Sequence, residues 1–324
     1  MSNQIKRIIF VGHFAIDNII RFKRLNKASL GGSVSYCSLS LRTYTKDVNI
    51  SIISHIGETN FNKSLLKSVK KKNIDLRGVK YSEVENTNFI LDYFDHTRTL
   101  TLKSRSPTLK FKDIPQEYLS STSDVIVLVP LCDEISYEFV SEISKLVPNI
   151  YIGIDLQGFI RNIDKEGKVS YEYNEEKISN IKKIIRLVGD KLILKGSEEE
   201  MKLLANEFED SYKVMKDFEK YNTNGIFIMT LGEKGSLLSK KGYPILDIPA
   251  FKPKRVSDET GAGDVYFSIF LYEFFNSDKS WSKVESCAFL ASAAASFLVE
   301  KRGPSGFETK LNVLKRVSRK EYIN

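Results

Sequence analysis

The sequence contains few of the features that mark exported, membrane-spanning or metal-stapled proteins. No uncharged apolar run approaches the ~18 residues that cross a membrane, because the longest candidate, which begins at Ala288, ends at Glu300. The three cysteines, Cys37, Cys132 and Cys287, form no CxxC or Cys/His ligand pattern, and none of the three histidines has a ligand partner at a useful spacing. We therefore expect no membrane partner, no structural zinc, and small buried thiols in a reducing cytoplasm.

The excess of positive over negative charge is also small. The chain has 49 lysine and arginine residues against 41 acidic residues, which leaves a net charge of +8 on 324 residues. The cations lie among acids, and the densest cluster, residues 70–72, ends an amphipathic pattern where positive charge complements the helix dipole. We therefore expect no nucleic-acid partner, while an electropositive cleft for an anionic substrate stays open.

Short β-branched apolar runs alternate with amphipathic helical patterns, in a chain whose length allows one large domain and a small appendage. This alternation predicts an α/β fold, a doubly wound and mainly parallel sheet with helices on both faces. A further hairpin is expected at the far edge, from residues 236–238 and 244–248. The predicted strands span residues 5–11, 49–55, 124–129, 149–155, 191–195 and 225–231, and the predicted helices span residues 33–42, 61–72, 135–146, 175–187 and 198–207.

Two segments interrupt the alternation and offer no apolar helix face to the sheet. One is residues 14–30, and the other, residues 86–103, contains two strand-like runs around a polar turn at 95–97, as in a β-hairpin. We expect both segments to form a small β-rich lid that excludes water from one end of the sheet. The predicted main domain comprises residues 1–13, 31–85 and 104–324, and the predicted lid comprises residues 14–30 and 86–103.

A glycine-rich turn precedes an apolar helical pattern at residues 258–264, Asp-Glu-Thr-Gly-Ala-Gly-Asp. At a helix start, Gly261, Ala262 and Gly263 leave backbone N–H groups uncovered, and these form an anion-binding site together with the helix dipole. There Asp264 could accept the proton of an attacking hydroxyl while the N–H groups stabilise charge on a transferring phosphoryl group. The alternative is a plain glycine turn followed by an ordinary first-turn acid. No GxxxxGK(S/T) or GxGxxG pattern occurs, which argues against a P-loop or dinucleotide-binding fold.

The sequence Thr-Gly-Ala-Gly-Asp at 260–264 resembles the C-terminal signature of the PfkB, or ribokinase-like, carbohydrate kinases. Other elements of that family occur in the same order across nearly the whole chain. The resemblance implies a ribokinase-like α/β fold with a β lid, ATP as phosphoryl donor, Mg²⁺ as metal, and a small polyol as acceptor. It makes Asp264 the catalytic base and Gly261, Ala262 and Gly263 the anion hole. Relatives often dimerise through the lid, so a homodimer is a further implication.

The acceptor site is implied by segments in the first half of the chain. Asp17 and Gly31-Gly32 resemble the family's substrate-contacting aspartate and diglycine, and glycines let a polyol approach the backbone. Residues 154–161, Ile-Asp-Leu-Gln-Gly-Phe-Ile-Arg, look most like the myo-inositol kinase branch and some nucleoside kinases. A cyclitol such as myo-inositol is therefore the expected acceptor, with a nucleoside or another sugar as the alternative. The implied substrate residues are Asp17, Gly31, Gly32, Arg105, Asp155, Gln157, Arg161 and Asp264. A simpler explanation of residues 154–161 is that Asp155 caps a loop and pairs with Arg161.

The nucleotide site is implied by segments in the second half. Residues 192–200 resemble the NxxE element that organises hydrated Mg²⁺, with Ser197 in place of asparagine and Glu200 as the carboxylate that suits water-bound magnesium. Ser197 and Glu200 also fit a helix capping box, and both roles are compatible. Residues 230–235 resemble the family's TxGxxG turn, which a hairpin turn explains equally well. The implied nucleotide-binding residues are Lys195, Ser197, Thr230, Gly232, Gly235, Thr260, Gly261, Gly263 and Gly303, and Glu200 is the candidate metal ligand.

Departures from the family pattern leave a second function open. Ser197 replaces the asparagine, and Asn60 stands near the place where relatives have an aspartate. These departures motivate the alternative of a non-catalytic sensor that binds nucleotide or polyol without turnover. The chain keeps the whole 260–264 signature, including Asp264, and this favours an enzyme over a sensor.

Overall fold

Two large sheets and one two-stranded sheet organise the residues that the structure, a computed structural model, describes. These residues are 7–21, 24–25, 28–94, 97–119, 125–221 and 223–323. The strands are β1 Arg7–Val11, β2 Ala15–Arg21, β3 Arg24–Leu25, β4 Ser29–Gly31, β5 Asn49–Gly57, β6 Asp75–Ser82, β7 Asn88–Phe94, β8 Thr97–Ser104, β9 Val125–Leu128, β10 Tyr151–Asp155, β11 Asn162–Ile163, β12 Val169–Ser170, β13 Leu192–Ser197, β14 Ile226–Thr230, β15 Ser236–Ser239 and β16 Leu246–Ile248. The helices are α1 Ser33–Tyr44, α2 Lys67–Lys71, α3 Tyr137–Leu146, α4 Gln157–Ile160, α5 Glu175–Val188, α6 Glu198–Ala205, α7 Ser211–Asp217, α8 Ala262–Phe275, α9 Trp281–Leu298 and α10 Lys310–Arg319.

The larger sheet has nine strands in the order β16-β15-β14-β13-β10-β9-β1-β5-β6. Neighbouring strands from β14 to β6 are parallel, and β15 and β16 extend the other edge in antiparallel pairs. The central strands are buried along most of their length, since residues 8–11 of β1 and 125–128 of β9 have no exposed surface. Strands of this kind need cover on both faces, because neither face carries polar side chains toward water.

Two apolar cores supply that cover. One core joins the sheet to α1, α8 and α9, and includes Phe267, Phe270 and Leu271 of α8. The other core joins the opposite face to α3, α5, α6 and α7. The prediction of a doubly wound α/β sheet with helices on both faces is confirmed, and β15 and β16 form the expected edge hairpin. Within the described ranges, no helix is long and apolar enough to cross a membrane.

The smaller sheet has the order β3-β2-β7-β8, and β4 pairs with β2. Strands β2 and β7 are parallel, whereas β7 and β8 form an antiparallel hairpin. These strands come from the two segments that interrupt the α/β alternation, and we call this sheet the lid. Residues 95–96 of the predicted hairpin turn lie outside the described residues, and the domain boundaries stay a prediction.

A buried hydrogen-bond network joins the lid to the main sheet around Asn86. The Asn86 side-chain oxygen accepts from the Gly57 N–H at 3.2 Å and from the Ser106 hydroxyl at 3.0 Å. Its nitrogen donates to the carbonyl oxygens of Phe14 and Thr87, both at 3.0 Å. One amide therefore holds together segments that enter and leave the lid.

His13 extends this network at the end of β1. Its Nε2 lies 3.0 Å from the Pro107 carbonyl oxygen and its Nδ1 lies 2.8 Å from the Thr87 hydroxyl, so a neutral ring that donates from Nε2 satisfies both contacts. Burial lowers the pKa of His13 and favours that neutral form. His13, Cys132 and Glu134 bring possible metal ligands within 4.8 Å of one another, a grouping that sequence spacing did not indicate. Because the Glu134 carboxylate already accepts from the N–H groups of His13 and Cys132, hydrogen bonding explains this cluster.

Several elements differ from the sequence-based expectation. β6, α7 and α10 were not predicted, and β6 lacks a continuous apolar run because it is an edge strand with only Gly78 and Val79 buried. The helix predicted over residues 61–72 is wrong in part, because a 3₁₀ turn at Lys63–Leu66 precedes the short helix α2. The predicted strand residues 5–6 and 124 lie outside the described residues. Polar edge segments leave little periodic apolar signal to detect.

Replacing Asn86 with alanine is expected to lower the free energy of unfolding by roughly 2–4 kcal/mol, because several buried donors and acceptors lose their partner at once. Asn49→Ala is the matched control, since Asn49 is exposed at the start of β5. Urea denaturation followed by circular dichroism measures both variants. Equal losses in the two variants would contradict a special role for the Asn86 network.

Candidate active site

The start of α8 is built around Gly261, which has a φ of 83° in the left-handed region. A Cβ atom at Gly261 would lie 2.1 Å from the Tyr36 ring, so neither the backbone angle nor the space admits a side chain. No side chain caps this helix, although the Ala262 N–H donates to the Glu259 carbonyl oxygen at 3.1 Å. The Ala262 N–H, which the sequence predicted as part of an anion hole, is therefore already bonded to a carbonyl oxygen of the same chain. A helix start without a side-chain cap remains a favourable place for an anion.

Asp264 stands in the first turn of α8 and lines a cavity of about 380 Å³. Burial raises the pKa of Asp264 to about 7, and the nearby Asp155 adds to the rise. The nearby Lys195 and the Ser33 side chain oppose this rise in the pKa. The carboxylate therefore changes protonation near neutral pH, as a general base for a hydroxyl requires.

Lys195 and Asp155 form an ion pair at the bottom of the same cavity. The two residues are register partners on β13 and β10, and the Lys195 Nζ atom lies 2.8 Å from the Asp155 Oδ2 atom. Burial lowers the pKa of Lys195, but Asp155, Glu200 and Asp264 outweigh burial and leave that pKa above its ordinary value. A protonated lysine is therefore held among three carboxylates. The simpler expectation that Asp155 pairs with Arg161 is wrong, because the partner of Asp155 is Lys195.

Gln157 and Arg161 follow β10 and also line the cavity. The Gln157 Oε1 atom accepts from the Ser33 hydroxyl at 3.1 Å, and the Gln157 N–H lies 3.4 Å from the Asp155 Oδ1 atom, so the expected loop cap is present. Arg161 donates from Nε to the Tyr171 hydroxyl at 2.9 Å. These bonds leave a guanidinium and an amide in the lining of the same cavity, where both can bind hydroxyl groups.

Asp17 and the glycine pair lie on the lid side of the cavity. Asp17 is 9% exposed on β2. A Cβ atom at Gly31 would lie 2.1 Å from the Asp17 carboxylate, so Gly31 makes room for that carboxylate and does not itself line the cavity. Gly32, with a φ of 89°, does line it. Gly31 therefore makes room for the Asp17 side chain, while Gly32 leaves the backbone open to the cavity.

Ser197 and Glu200 form the capping box that the sequence allows. The Glu200 carboxylate accepts from the Ser197 N–H at 2.8 Å, and the Glu200 N–H donates to the Ser197 hydroxyl at 3.3 Å. Glu200 is buried, and with Glu199 and Ser197 it lines the cavity. Carboxylate oxygens of this kind suit a hydrated hard cation such as Mg²⁺, so the residues present fit that metal.

A second cavity of about 380 Å³ lies on the other side of the α8 start. Thr230, Gly232 and Gly235 line it, together with small residues of α9 such as Ser292 and Ala295. The lining residues that both cavities share are Ser197, Thr230, Glu259, Ala262 and Gly263. The glycine turn therefore lies where the two cavities meet.

Three predicted site residues, Gly31, Arg105 and Gly303, line neither cavity. Arg105 donates from Nη1 to the Cys132 carbonyl oxygen at 3.0 Å, and Gly31 acts through Asp17 as described above. The other predicted residues are brought together.

Sequence reasoning missed part of the cavity wall. Ser33 directly follows the glycine pair, and this position at a helix start was the available signal. The Tyr93 hydroxyl of the lid lies 3.0 Å from the Thr260 hydroxyl, a contact that only the fold creates. The remaining unpredicted lining residues of the first cavity are Tyr36, Phe89, Leu91, Leu100, Leu131, Tyr171, Glu199 and Glu259.

Comparison with known families identifies the class of protein. The family model described as pfkB family carbohydrate kinase matches residues 45–310. The chain therefore belongs to the PfkB carbohydrate kinases, which are phosphotransferases.

Two curated relatives narrow the comparison to sugar and nucleoside kinases. A Pyrococcus horikoshii protein provisionally designated a sugar kinase is 24% identical over 241 residues, which cover 69% of this chain and 67% of that protein. The nucleoside kinase of Methanocaldococcus jannaschii is 41% identical over 76 residues, or 24% of each chain.

Solved structures share the fold over almost the whole chain. A Xylella fastidiosa fructokinase with bound ATP has a TM-score of 0.78 at 16% identity, and the match covers 98% of this chain and 99% of that one. The M. jannaschii nucleoside kinase has a TM-score of 0.71 at 19% identity, with 98% and 99% covered. A pyrophosphate-dependent kinase of the ribokinase family, complexed with a pyrophosphate analogue and myo-inositol, has a TM-score of 0.72 at 18% identity, with 92% and 96% covered. These likenesses confirm the ribokinase-like fold.

The raised pKa of Asp264 predicts that Asp264→Asn stabilises the protein at high pH. An aspartate in the unfolded chain titrates near its ordinary value of 3.8. Between 3.8 and about 7, ionisation increasingly favours the unfolded chain, so the folded protein loses stability as pH rises through this window. Asparagine does not ionise and avoids that loss.

We therefore expect the unfolding free energy of Asp264→Asn to exceed that of the parent protein at pH 8 by a few kcal/mol. The gain should shrink toward zero near pH 4. Urea denaturation at both pH values measures it. A gain of the same size at pH 4 and pH 8 would show that ionisation of Asp264 is not its cause.

Proposed function

We propose that this kinase transfers the γ-phosphoryl group of ATP to a hydroxyl of a small polyol, most simply a cyclitol such as myo-inositol. The observation that carries the proposal is the position of Asp264. This base candidate stands at the helix start where a polar cavity and a more apolar cavity meet. A kinase needs an acceptor and a phosphoryl donor to meet at one point beside a base.

The polar cavity fits an acceptor with several hydroxyl groups. The Asp17 carboxylate, the Gln157 amide and the Arg161 guanidinium all line it, and together they offer both hydrogen-bond acceptors and donors. A cyclitol carries a hydroxyl on every ring carbon and can use both kinds of group. Myo-inositol is also the compound bound in one structural relative.

A nucleoside is the second candidate acceptor. Three lid side chains, Phe89, Leu91 and Leu100, give one wall of the same cavity an apolar surface. A planar base would bury apolar area against such a wall, whereas a cyclitol would bring mainly hydroxyl groups to it. The segment shared with the M. jannaschii nucleoside kinase supports this alternative.

The second cavity fits the nucleotide. Its wall of small α9 residues, including Ser292 and Ala295, leaves space for a flat ring, and Gly232 and Gly235 at its edge carry no side chain to block entry. The phosphate groups would then reach the N–H groups at the start of α8 and the protonated Lys195. One structural relative holds ATP in its crystal.

In the proposed reaction Asp264 takes the proton of the acceptor hydroxyl as that oxygen attacks the γ-phosphorus of ATP. The new oxygen–phosphorus bond forms while the β–γ bridge bond breaks, and ADP leaves with the electron pair. Lys195 and the N–H groups at the α8 start stabilise the charge on the phosphoryl oxygens. Glu200 and Glu199 would hold hydrated Mg²⁺, which neutralises phosphate charge when bound.

Asp264→Asn is expected to reduce turnover by at least ~10²-fold, because it removes the general base. Nucleotide binding should persist, since asparagine keeps the shape of the helix start. Steady-state ADP release and calorimetric ADP binding measure the two effects. Asp217→Asn, on α7 away from both cavities, is the matched control and should keep parent activity. Parent-like turnover in Asp264→Asn would remove Asp264 from the mechanism.

A substrate panel tests the acceptor. ADP release with ATP and Mg²⁺ should be fastest with myo-inositol among myo-inositol, nucleosides, ribose, fructose 6-phosphate and 2-keto-3-deoxygluconate, because the polar cavity supplies partners for several hydroxyls. If turnover is fastest with a nucleoside, the proposed acceptor is a nucleoside and not a cyclitol. Nucleotide binding without turnover on any compound would favour the sensor hypothesis.

A further inference from the structure

A third cavity, of about 570 Å³, lies where the end of α9 meets α10 and takes no part in the proposed reaction. We call it the basic pocket. Its lining contains six cationic and only two acidic side chains, a strong local imbalance for a chain with a net charge of +8. The cations are Lys254, Arg255, Lys301, Lys315, Arg316 and Arg319, and the acids are Glu300 and Glu308.

Arg316 forms a rigid centre of this pocket. Its Nη2 lies 2.6 Å from the Glu300 Oε1 atom, and its Nη1 donates to the Ser296 hydroxyl at 2.8 Å. The guanidinium carbon lies 3.4 Å from the centroid of the Phe297 ring. Because these contacts use only part of the five guanidinium N–H groups, Arg316 is held in place with donors left for a ligand.

Both acids of the basic pocket are already engaged. Glu300 accepts from Arg316 and also from the Lys254 N–H at 2.9 Å. Glu308 accepts from the Asn312 side chain at 2.6 Å. Within the described part of the chain, Lys254, Lys301, Lys315 and Arg319 form no ion pair. Several cations therefore converge on a concave space without acidic partners, which favours a ligand with more than one negative charge.

The basic pocket shares its walls with the proposed nucleotide cavity. Pro253 and Val256 line the nucleotide cavity, whereas Lys254 and Arg255 between them line the basic pocket. The same division occurs on α9, where Ser296 lines the nucleotide cavity and Phe297 lines the basic pocket. The two cavities are thus separate spaces on opposite sides of the same backbone segments.

We propose that the basic pocket binds a small soluble compound with two or more phosphate groups, at a site distinct from the active site. The cavity volume is in the range that small-molecule ligands occupy, and its concave shape suits a compact anion. Tetrahedral, multiply charged phosphate groups offer pairs of oxygens that match the bidentate donors of the planar arginine guanidinium and the point charges of lysine. Polyphosphates and bisphosphorylated sugars share this chemistry.

Calorimetric titration of the full-length protein tests the proposal. The probes are inorganic tripolyphosphate and glucose 1,6-bisphosphate, which represent the two sources of the ligand chemistry. The Lys301→Glu/Arg319→Glu variant should bind the preferred probe at least ~10-fold more weakly, because two attractive charges become repulsive. The matched control is Lys70→Glu/Lys71→Glu, which makes the same charge change on exposed residues of α2. This control should bind the probe like the parent protein.

Binding of only one probe identifies the source, and binding of both supports the shared chemistry. The proposal is overturned if neither probe binds. It is also overturned if both double variants lose the same amount of probe affinity, because that result would indicate general charge attraction. Thermal unfolding shows whether each variant is folded. If the charge-reversed variant does not fold, Lys301→Ala/Arg319→Ala is used in its place. Since the readout is probe binding, a wrong acceptor assignment in the active site would leave this result unaffected.

Discussion

The candidate active site is organised around one buried cation, Lys195, which lies among the carboxylates of Asp155, Glu200 and Asp264. Strand register puts Lys195 beside Asp155, and both Glu200 and Asp264 raise its pKa. A buried carboxylate without a partner would take up a proton instead of staying ionised. Lys195 also opposes the rise in the pKa of Asp264, so the same lysine helps to set the pH at which the base candidate ionises.

The close packing around Lys195 explains why the turn before α8 is rich in glycine. A Cβ atom at Gly263 would lie 2.8 Å from the Lys195 Nζ atom, and one at Gly261 would strike the Tyr36 ring. The glycines therefore serve two purposes at once. They admit the neighbouring side chains, and they leave the helix start open to an anion.

The same principle operates on the lid side, where Gly31 gives space to the Asp17 carboxylate. The lid and the main sheet are then joined by the buried amide of Asn86 and the neutral ring of His13. These polar contacts are satisfied inside the protein, so they help to fix the relative position of the two sheets.

The sequence alone determined those features that local patterns encode. Alternating apolar runs predicted the parallel sheet, the glycine turn before Asp264 predicted the open helix start, and the spacing of Ser197 and Glu200 predicted the capping box. Each of these features depends on residues within a few positions of one another, where propensity and hydrogen-bond geometry act directly.

Which distant residues meet depends on the packing of the whole fold. That packing paired Asp155 with Lys195 instead of Arg161, kept Arg105 outside the cavity, and joined the basic pocket from α9, α10 and the segment after β16. Contacts of this kind depend on strand order, register and helix packing, which leave no local signature in the residues that make them. For this reason the candidate base and its helix could be located from the sequence, whereas the charge partner of Asp155 and the third cavity could not.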